Sequence, residues 1–102
     1  VTVLTISPQG AGQFSVAGQM TFAAISAQIS TVCAFLTSAK QITIDLAQVT
    51  AADSAGLALL IEWKKIARNH KCQLVLKNIP EQLRMLAGLS GFDLSSHFTL
   101  QP

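Results

Sequence analysis

The sequence predicts an α/β fold: a mixed sheet of four to five strands with three main helices, in the order β-β-α-β-α-β-α-β. Three observations predict it. Short β-branched or alternating runs recur at Val1–Ile6, Gln13–Gly18, Ile42–Leu46 and Cys72–Lys77. The stretches that open at Phe22 and at Ala55 carry apolar residues at helical spacing. Turn material alone separates the first two runs, which suits an antiparallel hairpin, whereas the later strands are joined by helices, which calls for parallel strands and right-handed crossovers.

Size and composition narrow the possibilities. A chain of 102 residues predicts one domain, 1–102, with one modest core. Half of the residues are hydrophobic and 12% are charged, against about 25% charged in ordinary soluble domains. So small a core cannot bury them all, which predicts an apolar surface patch and a lasting partner. The longest apolar stretch, Leu57 to Ile61, is far short of the roughly 20 residues that span a bilayer, so direct membrane insertion is not expected. No basic, apolar, small-residue leader opens the chain, and with Val1 in first place a trimmed start is expected.

The net charge is +2, and of the cations only Lys64, Lys65, Arg68 and Lys71 lie close together. That spacing suits the solvated face of one helix rather than a nucleic-acid footprint. Cys33 and Cys72 sit apart in apolar contexts, which suits free thiols in a reducing compartment. No CxxC or HxxxH spacing occurs, and neither a metal site nor a cofactor is expected.

In chain order, Val1–Ile6 alternates as a strand, and Ser7-Pro8-Gln9-Gly10-Ala11-Gly12 follows as turn. Its lone GxG lacks the strand–GxGxxG–helix setting of a nucleotide site and reads as a hairpin loop. Gln13–Gly18 returns as the second strand. Thr21 suits a helix cap, and Phe22, Ile25, Ile29, Val32 and Leu36 mark one helix face that ends near Lys40. Ile42, Ile44 and Leu46 give the third strand. In the helix from about Ala55 to Asn69, Leu59, Leu60, Trp63, Ile66 and Ala67 share one arc, with Glu62, Lys64, Lys65, Arg68 and Asn69 opposite. Leu57 and Ile61 fall among those charges: either tertiary packing covers them or they centre a docking patch. A strand over Cys72–Lys77 follows, then a helix opened by Pro80, carrying Leu83, Leu86 and Leu89, and stopped at Gly91. Phe98 and Leu100 suit a last edge strand.

The chemistry concentrates where the third strand meets the long helix. Asp53 and Ser54 suit a helix N-terminus, where side-chain oxygens accept from free backbone N–H groups and the helix dipole favours negative charge. The ordinary reading of this cluster is a cap. The functional reading is an exposed, polarised hydroxyl on Ser54. Functional crevices of open α/β sheets lie at the carboxyl ends of strands, so Asp45, Asp53 and Ser54 are expected on one rim.

Placed after the third strand, Asp53-Ser54-Ala55-Gly56-Leu57 resembles the STAS domain, the family of anti-sigma factor antagonists and of the cytoplasmic tails of sulfate transporters. The likeness covers nearly the whole chain. Gly56–Trp63, Asn78–Leu83, Leu86–Phe92 and the tail Phe98–Pro102 look like the small STAS subunits of Mla phospholipid transporters. That resemblance implies a non-catalytic cytoplasmic subunit, peripheral to the inner membrane of a Gram-negative cell. It would bind and support the ATPase of an ABC transporter that maintains outer-membrane lipid asymmetry, and through it meet the membrane permease. The partner-binding residues it implies are Ser54, Asp53, Ala55, Gly56, Leu57 and Ile61, with Asp45 beside them. The alternative is an anti-sigma factor antagonist, switched when a serine kinase phosphorylates Ser54. Ala55 stands where many antagonists have a second Ser or Thr, which favours the transporter reading.

An enzyme of the Ser–His–Asp kind is not expected. Ala52-Asp53-Ser54-Ala55-Gly56 lacks the Gly-x-Ser-x-Gly elbow. His70 lies about 24 Å from Ser54 along the helix at 1.5 Å per residue. His97 sits in a polar tail, and no Walker loop is present.

Overall fold

A computed structural model describes residues 3–27, Leu36 and residues 40–101. The elements in chain order are β1 (Leu4–Gly10), β2 (Gln13–Met20), α1 (Phe22–Ala27), β3 (Gln41–Ala52), α2 (Ser54–Asn69), β4 (Gln73–Lys77), α3 (Glu81–Leu89), α4 (Leu94–His97) and β5 (Thr99–Gln101). They form a mixed sheet of order β1-β2-β3-β4-β5. β1 and β2 make the antiparallel hairpin, and every later pair is parallel.

Each crossover steps outward in the same direction. With right-handed connections, that puts the helices on one face of the sheet. Registered rows show the two faces. Phe14, Ile44, Leu76 and Leu100 line up toward the helices, whereas Ser15, Asp45, Lys77 and Gln101 line up on the other side. The core lies between the sheet and the helices. Ile42, Ile44 and Leu46 of β3 meet Leu59, Leu60, Trp63 and Ala67 of α2, all buried. The arc read from the sequence is thus the core face, with Ile66 half-buried at its margin. In α3, Leu83 and Ala87 are buried, while Leu89 is 83% exposed. Six residues past Leu83, at about 100° each, Leu89 has turned roughly 240° away from the core.

Several elements depart from the sequence expectation. β1 continues through Pro8 to Gly10, so the hairpin loop is only Ala11-Gly12. Pro8 is tolerated because β1 is an edge strand, where a missing N–H leaves no ladder bond unmade. β3 runs six residues past Leu46, to Ala52. Its register against β2 shifts twice, between Ser15 and Ala17 and between Gly18 and Gln19. Such bulges bend a strand and break its alternation, so the continuation carries no period-2 signal. The short α4 was also not expected; Asp93 caps it by accepting from the Ser95 N–H (3.1 Å). Of the first predicted helix, Phe22–Ala27 is helical and Leu36 is buried. Ile29, Val32 and Cys33 lie outside the described residues, as do Val1, Thr2 and Pro102. Cys72 is a free, buried thiol, and burial pushes its pKa up. Among the described residues, no helix is long and apolar enough to cross a membrane.

Candidate functional site

Asp53 organises the turn between β3 and α2. Its backbone is extended at φ −130°, and Oδ1 accepts from the Ala55 N–H at 2.9 Å, so Asp53 is the N-cap of α2. Oδ2 accepts from the Phe22 N–H at 3.1 Å, at the start of α1. One carboxylate therefore ties two helix starts together, where unpaired N–H groups and the dipole both favour negative charge. Thr21, expected to cap the first helix, does not: its hydroxyl is buried with no hydrogen-bond partner.

Ser54 is the first helical residue rather than the cap. It is exposed, and its hydroxyl makes no hydrogen bond with the described residues. Ala55 is half-buried beside it, and Gly56 and Leu57 are buried beneath. Gly56 is where α2 touches the end of β2: a Cβ there would lie 2.5 Å from the Met20 carbonyl oxygen and 3.0 Å from the Met20 Cβ. Helix propensity alone makes Gly→Ala stabilising by roughly 0.5–1 kcal/mol. The forced contact, at about 1–3 kcal/mol, reverses the sign. Gly56→Ala is therefore expected to cost about 1–2 kcal/mol in urea denaturation, and a stabilised variant would contradict this packing.

The structure assembles only part of the expected site. Leu57 is 6% exposed, and Ile61 is half-buried against the core. α3 packs against α2, with Leu83 close to Gly56. Leu57 and Ile61 therefore do not centre a free patch: the angular reading allowed α2 one buried face, and the core takes in these two residues as well. Asp45 is not on the Ser54 rim either. β3 continues for seven residues beyond it, on the order of 20 Å at strand rise. Asp45 accepts from Asn78 Nδ2 (3.0 Å) and from the Ala47 N–H (2.9 Å). The Asn78 bond first, then the Ala47 bond, holds its carboxyl below the usual range. Those bonds fasten the first bulge of β3 to the turn after β4.

What the structure adds is an apolar groove of about 470 Å³ between α1 and α2, lined by Phe22, Ile25, Ala55, Ala58, Leu59 and Glu62, with Ser26 at its edge. Phe22, which the sequence places on the apolar face of the first helix, is 70% exposed. Its place at the very start of α1, ahead of buried Ala24 and Ile25, was the available signal. Both histidines lie away from Ser54. His70 follows the last turn of α2, and His97 stacks on Phe92 with ring centroids 4.4 Å apart. No nucleophile–base pair is formed with Ser54 among the described residues.

Comparison with known proteins places this geometry. A family model described as "Mlab, STAS domain" matches residues 5–100. No curated protein matches the chain. Among solved structures, the chain is similar to the anti-sigma factor antagonist SpoIIAA in its unphosphorylated form, with a TM-score of 0.68 and 10% sequence identity over 97% of this chain and 87% of that one. At that identity the likeness is one of fold. Because the family match runs from the first strand into the last, the chain belongs to the STAS-domain family, of the MlaB-like kind.

Proposed function

We propose that this protein is a non-catalytic subunit that docks on the ATPase of an inner-membrane ABC transporter for phospholipid, and stabilises or regulates it from the cytoplasmic side. The MlaB-like family match carries the reading. The surface offered by Ser54, Ala58 and Phe22 supports it. Phe22 is a large apolar side chain left in water, and burying such a side chain is worth about 1.5–3 kcal/mol. Asp53 holds the starts of α1 and α2 in fixed relation, so the groove between them is presented with little ordering left to do. The role is contact: the ATPase hydrolyses nucleotide, the permease behind it handles lipid, and this chain holds the ATPase in a competent arrangement.

Ser54→Glu is expected to weaken binding to the ATPase–permease complex by about thirtyfold or more, because a carboxylate would be drawn into a desolvated contact without a partner. Titration calorimetry with the purified complex reads this directly, and unchanged affinity would remove Ser54 from the interface. Tagging the chain in its native host and identifying what co-purifies by mass spectrometry tests the reading itself.

A second reading is favoured by the exposed, unpaired hydroxyl of Ser54. In an anti-sigma factor antagonist, a serine kinase partner would place a phosphate there. The phosphate would carry about −1.5 to −2 charges, attracted by the α2 N-terminus and repelled by Asp53. Recovery of a serine kinase with the tagged chain, and one phosphate of added mass on Ser54, would select this reading.

A further inference from the structure

A second surface lies at the other end of α2. Lys64, Arg68 and Lys71 line a groove of about 550 Å³ between the C-terminal half of α2 and the α4–β5 segment, with Ser96, His97 and Thr99 on its far wall. The sequence read these cations as a solvated helix face. The fold instead sets them along one wall of a concavity. Lys64 and Arg68 stand one helical turn apart, where neighbouring side chains are about 5–6 Å apart, and Lys71 follows just past the helix end.

The groove is one-signed. No carboxylate lines it among the described residues. Asp93, in the adjoining turn, already accepts from the Ser95 and Ser96 hydroxyls, each at 2.7 Å. Lys64 Nζ donates to the His97 carbonyl at 2.7 Å and lies 5.9 Å from the centre of the Phe98 ring, which fixes it as part of the wall. The side chains of Arg68 and Lys71 have no ionic partner among the described residues. Lys71 adds an independent sign. Its φ of 55° is the left-handed conformation with which helices end, a position ordinarily given to glycine. Here it carries a lysine that faces the groove, at a cost in backbone strain.

We propose that this groove binds a carboxylate-rich segment of a partner protein. Cations spread along one wall of a groove that holds no carboxylate among the described residues suit acidic side chains repeated along an extended segment, which recur on one face every 6–7 Å or so. A compact phosphate would engage only one or two of them. A flat bilayer would meet projecting side chains rather than a recessed wall. The surface lies at the opposite end of α2 from Ser54, so it stands independently of the docking face above.

The test uses the full chain, labelled with nitrogen-15, and a ten-residue peptide of alternating Glu and Thr at low salt. Amide shifts confined to residues 64–74 and 95–99 are expected, with affinity falling steeply as salt is raised. Arg68→Glu with Lys71→Glu is expected to weaken the peptide about tenfold, while Ser54→Glu leaves it unchanged. Both positions are exposed; if the double reversal fails to fold, Arg68→Gln with Lys71→Gln serves the same purpose. Shifts spread equally to Lys40, Lys77 and Arg84 would overturn the proposal, as would an affinity indifferent to the double variant. Co-sedimentation with phosphatidylglycerol vesicles, lost in the double variant and without peptide binding, would overturn it in favour of a lipid surface.

Discussion

Trp63→Ala is expected to lower the free energy of unfolding by about 3–5 kcal/mol, the range for removing a large aromatic from a closed core. Trp63 has no solvent exposure and sits on the face of α2 that covers the sheet. Its neighbours Leu60 and Ala67 are fixed on the same helix, and Ile44 and Leu76 are fixed by strand pairing on both sides. The cavity can therefore collapse only in part. Domains of this size hold about 5–15 kcal/mol in total, so the variant would stand near the limit of folding at physiological temperature. Urea denaturation checks it: the midpoint should fall sharply with the slope unchanged. A loss under about 1 kcal/mol would mean that the α2–sheet contact is looser than described.

Gly18→Ala is the second large effect, expected at about 3 kcal/mol. Two costs add. Gly18 has φ +98°, where an L side chain is disfavoured by roughly 1–2 kcal/mol. A Cβ there would also run into the Val3 carbonyl oxygen, which accepts the Gln19 N–H at 2.9 Å. That acceptor is backbone just ahead of β1, so relief means parting β1 from β2, an overpacking cost of about 1–3 kcal/mol. The Gly18 carbonyl also accepts from Thr50 Oγ1 (3.1 Å), which links the bulged end of β3 to the same point. At about 4–8 °C per kcal/mol, the melting temperature should drop by more than about 10 °C. A drop within about 2 °C would show that the hairpin yields without strain.

The parts of the fold that were legible in the sequence are those governed by an unbroken period. Ile42-Thr43-Ile44-Asp45-Leu46 alternates and is the regular part of β3. Leu59, Leu60, Trp63 and Ala67 recur at helical spacing and face the core. Asp53 was readable as a cap because its side chain acts locally. Where a neighbour distant in sequence decides the outcome, the local pattern was silent. Ala47–Ala52 joins β3 through bulges whose partner is β2. Leu57 is buried although it falls among the charges of its own helix. Phe22 is left in water although it continues an apolar spacing. The hydroxyl at the turn was found from sequence; the groove beside it was not, because it is made by two helices brought together through Asp53.

The strand order carries a consequence for how the chain assembles. Because each described strand lies beside its predecessor, none of them has to be inserted between two that are already joined. The hairpin can form as soon as its residues are free, and each later strand is added at the growing edge after a crossover of some twenty residues. Closing a loop costs only slowly more as its length rises, so the three additions are comparable steps without one dominant obstacle. Assembly on the ribosome can therefore proceed in the order of synthesis, with each stage leaving a single open edge for the next. The final stage lays down only Thr99–Gln101, so by then most of the layered core is already in place.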